Sequence, residues 1–186
     1  MAESTRLGAM DSSASRLPPV DLARARQLWG DYVLWAGGGV LRPEVLPVVD
    51  YFGDSPALAD ALLRAVSDGD KRATSSLENE YTASGEPLPE AGAYWLACDS
   101  TGTARLILQT TEVTLAAFDH VDADFAFAEG EDDRSLASWR REHEKYWRRT
   151  QRAAGHQWDP TLTSQPGFRV VLERFVVAWP MGPGRA

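Results

Sequence analysis

Tyr51-Phe52-Gly53-Asp54-Ser55-Pro56-Ala57-Leu58-Ala59-Asp60-Ala61-Leu62, followed by Gly69-Asp70-Lys71-Arg72-Ala73-Thr74, reads as a helix cap, a helix, a stop and the start of a strand. Asp54 or Ser55 offers a side-chain oxygen to the orphan N–H groups of a first turn. Pro56 suits that turn because it has no N–H to lose there. Leu58, Ala59, Leu62, Leu63 and Val66 recur at spacings of three and four, which puts them on one apolar stripe. Gly69 supplies the left-handed residue that closes such a helix. The run from Lys71 to Leu77 opens directly afterwards and is β-prone.

Working outward, residues 21–35 carry Leu22, Ala25, Leu28, Trp29, Tyr32 and Val33 at helical spacing, and Gly37-Gly38-Gly39 ends that helix. No strand precedes the three glycines and no Lys-Ser or Lys-Thr follows them, so they read as a hinge and not as a phosphate loop. Residues 41–52 read as a Pro-punctuated connection. Downstream, residues 85–92 form a Pro- and Gly-rich turn region. Residues 93–98 and 104–115 read as two strands of a hairpin. A short acidic helix is expected over 120–128. A longer one over 135–154 presents Leu136, Trp139, His143, Tyr146, Trp147 and Thr150 on one broad face, and Gly155 ends it. A last strand spans 168–179. Strands interleaved with helices predict an α+β fold, a small partly closed sheet flanked by helices. The expected organisation is a flexible arm over 1–20, a single domain over 21–180 and a tail over 181–186.

The chain has 186 residues, 44% apolar and 25% charged, the mix of one globular domain. No apolar run approaches the ~20 residues that span a bilayer. The first 15 residues lack the apolar core of a signal peptide, and Cys98 is the only cysteine. A cytoplasmic location and no membrane partner follow as expectations. The net charge of -8 argues against coating nucleic acid with the whole surface. The charge is uneven, however. Residues 118–133 hold seven acids and no Lys or Arg, whereas residues 134–152 hold seven bases against Glu142 and Glu144. This is either a solvated helix face beside an acidic loop or a local phosphate-attracting strip.

Only two of the 19 basic residues are Lys, namely Lys71 and Lys145. An ammonium loses its proton when desolvated, which a guanidinium effectively does not do, so a Lys in an Arg-rich chain is a candidate for chemistry. His120, His143 and His156 match no metal-binding spacing and read as surface or packing residues. Gly-x-Ser-x-Gly, dinucleotide-binding and P-loop fingerprints are absent. Cys98 falls in an apolar strand pattern and reads as core. The remaining candidates are Lys71, Thr74 and nearby acids. On a regular strand residues 71 and 74 would face opposite ways, so a shared site needs irregular backbone there.

These motifs resemble the ASCH domain family of the PUA-like superfamily. The resemblance rests on the stretch quoted above and on Gly85-Glu86-Pro87-Leu88-Pro89, Thr110-Thr111-Glu112-Val113, the run from Ala128 to Leu136, Trp139-Arg140 and Glu173-Arg174-Phe175. It extends from about Trp29 to Trp179. It implies a PUA-like small β-barrel flanked by helices, and within the family the longer bacterial branch with the Phe-Gly-Asp-Ser-Pro opening. That family is linked to RNA. Some members are metal-stimulated ribonucleases acting on single-stranded RNA. Smaller members are amidohydrolases that remove acyl groups from the exocyclic nitrogen of cytidine with a Lys, a Thr and a Glu. Those three map onto Lys71, Thr74 and Glu131, with Glu129 the alternative acid. This chain is nearly twice as long as the small amidohydrolases, which leans the expectation towards the RNA-acting branch.

Three readings follow from the resemblance. In a ribonuclease, Lys71 would stabilise charge on the scissile phosphate, with Arg72, Arg134 and Arg140 or Arg141 on phosphates. Tyr81, Trp139 or Tyr146 would stack on unpaired bases, with Ser75 beside them. Glu80, Glu129 and Glu131 would hold a divalent ion such as Mn²⁺ or Mg²⁺ through oxygen. In an acylcytidine amidohydrolase, Lys71 would attack or activate water, Glu131 would protonate the leaving amine and Thr74 would orient the Lys or the oxyanion. In a binding module the same residues would recognise RNA or a modified nucleoside without reacting. The sequence leaves oligomeric state open.

Overall fold

The computed structural model describes residues 16–37 and 41–180. The expected tail, most of the arm and Gly38 and Gly39 lie outside the described residues. Five strands form one mixed sheet in the order β1-β3-β4-β5-β2: β1 (Val48–Tyr51), β2 (Ala73–Leu77), β3 (Tyr94–Cys98), β4 (Ala104–Ala116) and β5 (Val170–Trp179). β1 runs parallel to β3 and every other pairing is antiparallel. The sheet curls into a half-barrel and does not close, because β1 and β2 each end an edge. Register shifts in β4 between Ile107 and Leu108 and between Thr110 and Glu112 bend the long strand into that curl. β1 is a strand where the prolines suggested only a connection; its pairing with β3 overrides the weak local signal.

Among the described residues five α-helices flank the sheet: α1 (Leu22–Trp35), α2 (Pro56–Asp68), α3 (Glu78–Ser84), α4 (Ala123–Glu129) and α5 (Leu136–Ala153). Asp21 caps α1 by accepting from the Ala23 and Arg24 N–H groups. Ser55, rather than Asp54, caps α2, and Gly69 at φ 100° ends it. The acidic helix expected over 120–128 is split into a 3-10 turn, Phe118–His120, and α4, because Asp122 caps a new helix by accepting from the Phe125 N–H. α3 carries no apolar stripe of its own and was not foreseen; Glu80 closes its first turn by accepting from the Leu77 N–H.

α1, α2, α4 and α5 each cover one part of the curled sheet. α1 buries Ala25, Trp29, Tyr32 and Val33 against Leu96, Cys98 and Ile107, so Cys98 is core as expected. α2 buries Leu63 and Val66 against Ala97, Leu108 and Phe175. α4 and α5 bring Phe125, Trp139 and Trp147 onto Ala73, Leu77, Val170 and Leu172. β5 is packed on both faces over its first half, which accounts for its near-continuous apolar run. Residues of α2, the edge strand β2, α4 and α5 line one cleft.

Candidate functional site

The segment before β2 is clamped from three directions. The N–H groups of Asp70 and Lys71 both donate to the Ala65 carbonyl at 3.0 Å, tying them to the last turn of α2. The Arg72 N–H donates to the Ala128 carbonyl at 2.7 Å, and the Phe175 N–H donates to the Arg72 carbonyl at 3.0 Å. The loop after α4 crosses this clamp at Gly130. A Cβ there would stand 2.2 Å from the Asp70 oxygen and 2.7 Å from the Lys71 nitrogen, and φ is +66°. Only glycine admits so close an approach. As a result Glu129 and Glu131 flank the Lys71 side chain.

Lys71 is 1% exposed. Its Nζ lies 2.6 Å from Glu131 Oε1, donates to the Glu129 carbonyl at 3.4 Å and sits 5.5 Å from the centre of the Phe52 ring. The Glu129 side chain is fully buried, with Oε2 3.1 Å from His143 Nε2. Burial alone would raise its pKa. The charges of His143 and Lys71 outweigh that and hold the carboxyl well below the ordinary range. For His143 burial works against the cation, but the charge and hydrogen bond of Glu129, then the charge of Glu131, raise its pKa above the usual value. The imidazole stacks on Trp139 at 4.2 Å and 18°, and its Nδ1 lies 2.9 Å from the Trp139 carbonyl.

These groups form one wall of a cleft of ≈ 930 Å³, lined elsewhere by Phe52, Leu58, Thr74, Trp139 and Tyr146. Glu131 faces the cleft, 31% exposed, and Lys71 lies behind it. The cleft is within the size range of small-molecule sites. Its rim on α5 carries Arg141, Lys145 and Arg149. Arg141 pairs with Asp132 and Glu142, and Arg149 with Asp54 at 2.5 Å. Lys145 is 80% exposed and reaches Glu142 only at 3.7 Å.

Of the residues singled out from the sequence, Thr74, Ser75, Glu129, Glu131, Trp139 and Tyr146 converge on this cleft, with Lys71 behind it. The strand begins only at Ala73, so Lys71 escapes the strand alternation that would have turned it from Thr74, and no hydrogen bond joins the two among the described residues. Five others point elsewhere. Arg72 donates to the carbonyls of Val66 and Lys71. Glu80 caps α3 and accepts from Gln151. Tyr81 bonds Ser76 through its hydroxyl. Arg134 pairs with Asp70 and lies over the Phe127 ring. Arg140 donates to the carbonyls of Asp119 and Val121. Trp139 is 5% exposed, and His143 stacks on its ring, which limits its use as a base platform.

The expected trio Glu80, Glu129 and Glu131 does not assemble. Among the described residues no three His, Cys, Asp or Glu side chains converge to hold a metal ion. Glu129 already faces two cations, so the donor set does not match the oxygen cage of a hard divalent ion. His143, Lys145 and Arg149 were not singled out as site residues. For His143 the only signal was its place on the broad face of α5 beside Trp139 and Tyr146; its partner Glu129 comes from another helix at no recognisable spacing.

The ASCH domain family model matches residues 48–178, which includes both walls of the cleft and every strand pairing that builds them. The chain belongs to the ASCH domain family. This ASCH domain is similar to the crystal structure of an ASCH domain from Lactobacillus crispatus, with a TM-score of 0.72 and 27% identity over 86% of this chain and 96% of that one. It is equally similar to a protein from Enterococcus faecalis, with a TM-score of 0.72 and 27% identity over 84% and 89%. No curated protein matches it. The curled half-barrel with its flanking helices is the PUA-like α+β fold expected from the sequence. No helix among the described residues is long and apolar enough to cross a membrane.

Proposed function

We propose that this ASCH domain binds a nucleobase-containing ligand, RNA or a modified nucleoside, in the cleft and hydrolyses an acyl amide on the base with Glu131 and Lys71. ASCH domains are in general RNA-binding, which sets the ligand class. The observation that carries the reading is the Lys71–Glu131 pair, 2.6 Å apart with the Lys 1% exposed, on the wall of a cleft also lined by Thr74. Because Glu131 faces the cleft and Lys71 stands behind it, Glu131 handles the proton. Its carboxylate takes a proton from water as the oxygen bonds to the acyl carbon. It then returns that proton to the amine nitrogen as the C–N bond breaks, leaving a carboxylic acid and the free base. The Lys71 ammonium orients Glu131 throughout and balances negative charge on the intermediate. The Thr74 hydroxyl is available to the acyl oxygen.

A second reading, cleavage of single-stranded RNA, is favoured by the rim cations Arg141, Lys145 and Arg149, which suit phosphates. It is weakened by the outward or inward placement of Arg72, Glu80, Tyr81, Arg134 and Arg140. Incubation with N4-acetylcytidine and with single-stranded RNA, with and without Mn²⁺, separates the two by mass spectrometry beside a Lys71→Ala control. Free cytidine and acetate, lost in the variant, are expected. RNA fragments without deacylation would replace this reading by the nuclease one. Binding without either product would reduce the site to recognition.

A further inference from the structure

We infer that His143 is a positioning residue of the cleft: its ring, held between the Glu129 carboxylate and the Trp139 carbonyl, is a cation that occupies Glu129 and so commits Lys71 to Glu131. The activity part of this inference rests on the hydrolytic reading; the electrostatic part does not.

The charge of His143 follows from its partners. Nε2 lies 3.1 Å from a Glu129 carboxylate oxygen and Nδ1 lies 2.9 Å from the Trp139 carbonyl oxygen. Both partners are acceptors only, so both ring nitrogens carry protons. Stacking on Trp139 at 18° holds the ring in the plane that reaches both. The charged groups acting on the imidazolium are Glu129 from α4 and Glu131 from the loop after it, and Lys71 from the segment before β2 acts on the same Glu129. Asp132, Glu142, Lys145 and Arg149 line the same cleft farther out. The inner set thus holds two cations and two anions.

The balance decides where Lys71 points. Glu129 is 0% exposed, and a buried carboxylate without a cation is strongly unfavourable. Lys71 is the next cation, since its Nζ already donates to the Glu129 carbonyl. Without the charge of His143, Glu129 would draw Nζ away from Glu131, which is 31% exposed and tolerates water as its partner. Glu131 would then lose both its orientation and its counter-charge.

The test is a charge cycle read at Lys71. The Lys71 Nζ and Cε resonances and the turnover of N4-acetylcytidine are measured in the wild type, His143→Gln, Glu129→Gln and the double variant. His143→Gln should shift the Lys71 resonances and lower kcat on the order of a hundredfold, the scale of a misplaced catalytic group, with KM little changed. Adding Glu129→Gln removes the stranded carboxylate and should return both readouts most of the way. Unmoved Lys71 resonances in His143→Gln, or a double variant worse than the single, would overturn the inference. If His143→Gln does not fold, the wild type serves: the ring ¹⁵N spectrum should show two protonated nitrogens at neutral pH. The Lys71 resonances should then titrate together with the ring as pH rises, and a neutral ring or independent titration would sink the idea. A wild type without turnover would defeat the hydrolytic reading alone, and the Lys71 resonances would still decide the positioning role.

Discussion

Glu129, at the end of α4, and Glu173, in the middle of β5, are 0% and 7% exposed, yet their surroundings drive them in opposite directions. For both, burial is the largest influence and favours the neutral acid. At Glu129 the cations His143 and Lys71 overcome it, and the carboxyl is held low. At Glu173 the Thr110 hydroxyl donates to the carboxyl but no cation opposes burial, and the carboxyl is pushed up. Glu173 stands opposite Thr74 in the β2–β5 ladder, one strand from the cleft, whereas Glu129 belongs to its wall. Burial sets how much a carboxylate demands; the charges brought within reach set which way it answers.

The strongest way to break the comparison is to remove the shared cation. Lys71→Met should cost ~3 kcal/mol of stability in urea unfolding, near the low end for a broken buried pair because Glu131 is partly solvated, and should abolish turnover. Next, Glu129→Gln discards a carboxylate paired with two cations and should cost ~2 kcal/mol, whereas Glu173→Gln discards a carboxylate that burial disfavours and no cation offsets, and should cost under ~1 kcal/mol. Equal costs would erase the distinction. The pH dependence of stability sharpens it further. The folded pKa of Glu129 is lowered from 4.5, so its contribution is present above pH 4.5 and is lost as acid takes the pH through the lowered value. Glu173 and His143 are raised from 4.5 and 6.5, so their contributions are present below those values and are lost as pH rises through the raised ones. Urea midpoints across ~pH 3 to 9 should therefore lose the lower alkaline-side decline in Glu173→Gln and the upper one in His143→Gln. The smallest effect is expected at the rim. Lys145→Gln should change stability by less than ~0.5 kcal/mol. If RNA phosphates contact this rim, the salt dependence of binding should fall by about one counterion.

Much of this contrast was invisible in the sequence because both residues are simply Glu in mixed surroundings. Helical periodicity exposed α1, α2 and α5 nearly to the residue, since each has its own cap and an apolar stripe facing one layer. β1 and α3 were missed because each is short and is held by its neighbours: β1 by pairing with β3, α3 by the Glu80 cap and Gln151. In the site, Lys71 stood out as one of two lysines, and Thr74 and Glu131 followed from family motifs. Arg72, Arg134 and Arg140 attracted attention as cations near those motifs. Their partners, however, are carbonyls and Asp70, which no spacing discloses.

The sequence by itself determined the order of helices and strands apart from β1 and α3, the α+β class and the family. These rest on local periodicity, capping chemistry and motif order, all of which are written along the chain. Only the tertiary structure decided that Gly130 lets two backbones touch, that Glu131 and not Lys71 faces the cleft, and that His143 joins Glu129. Those outcomes depend on distances between α4, α5 and the segment before β2, and distances of that kind are set by how the helices pack on the curled sheet.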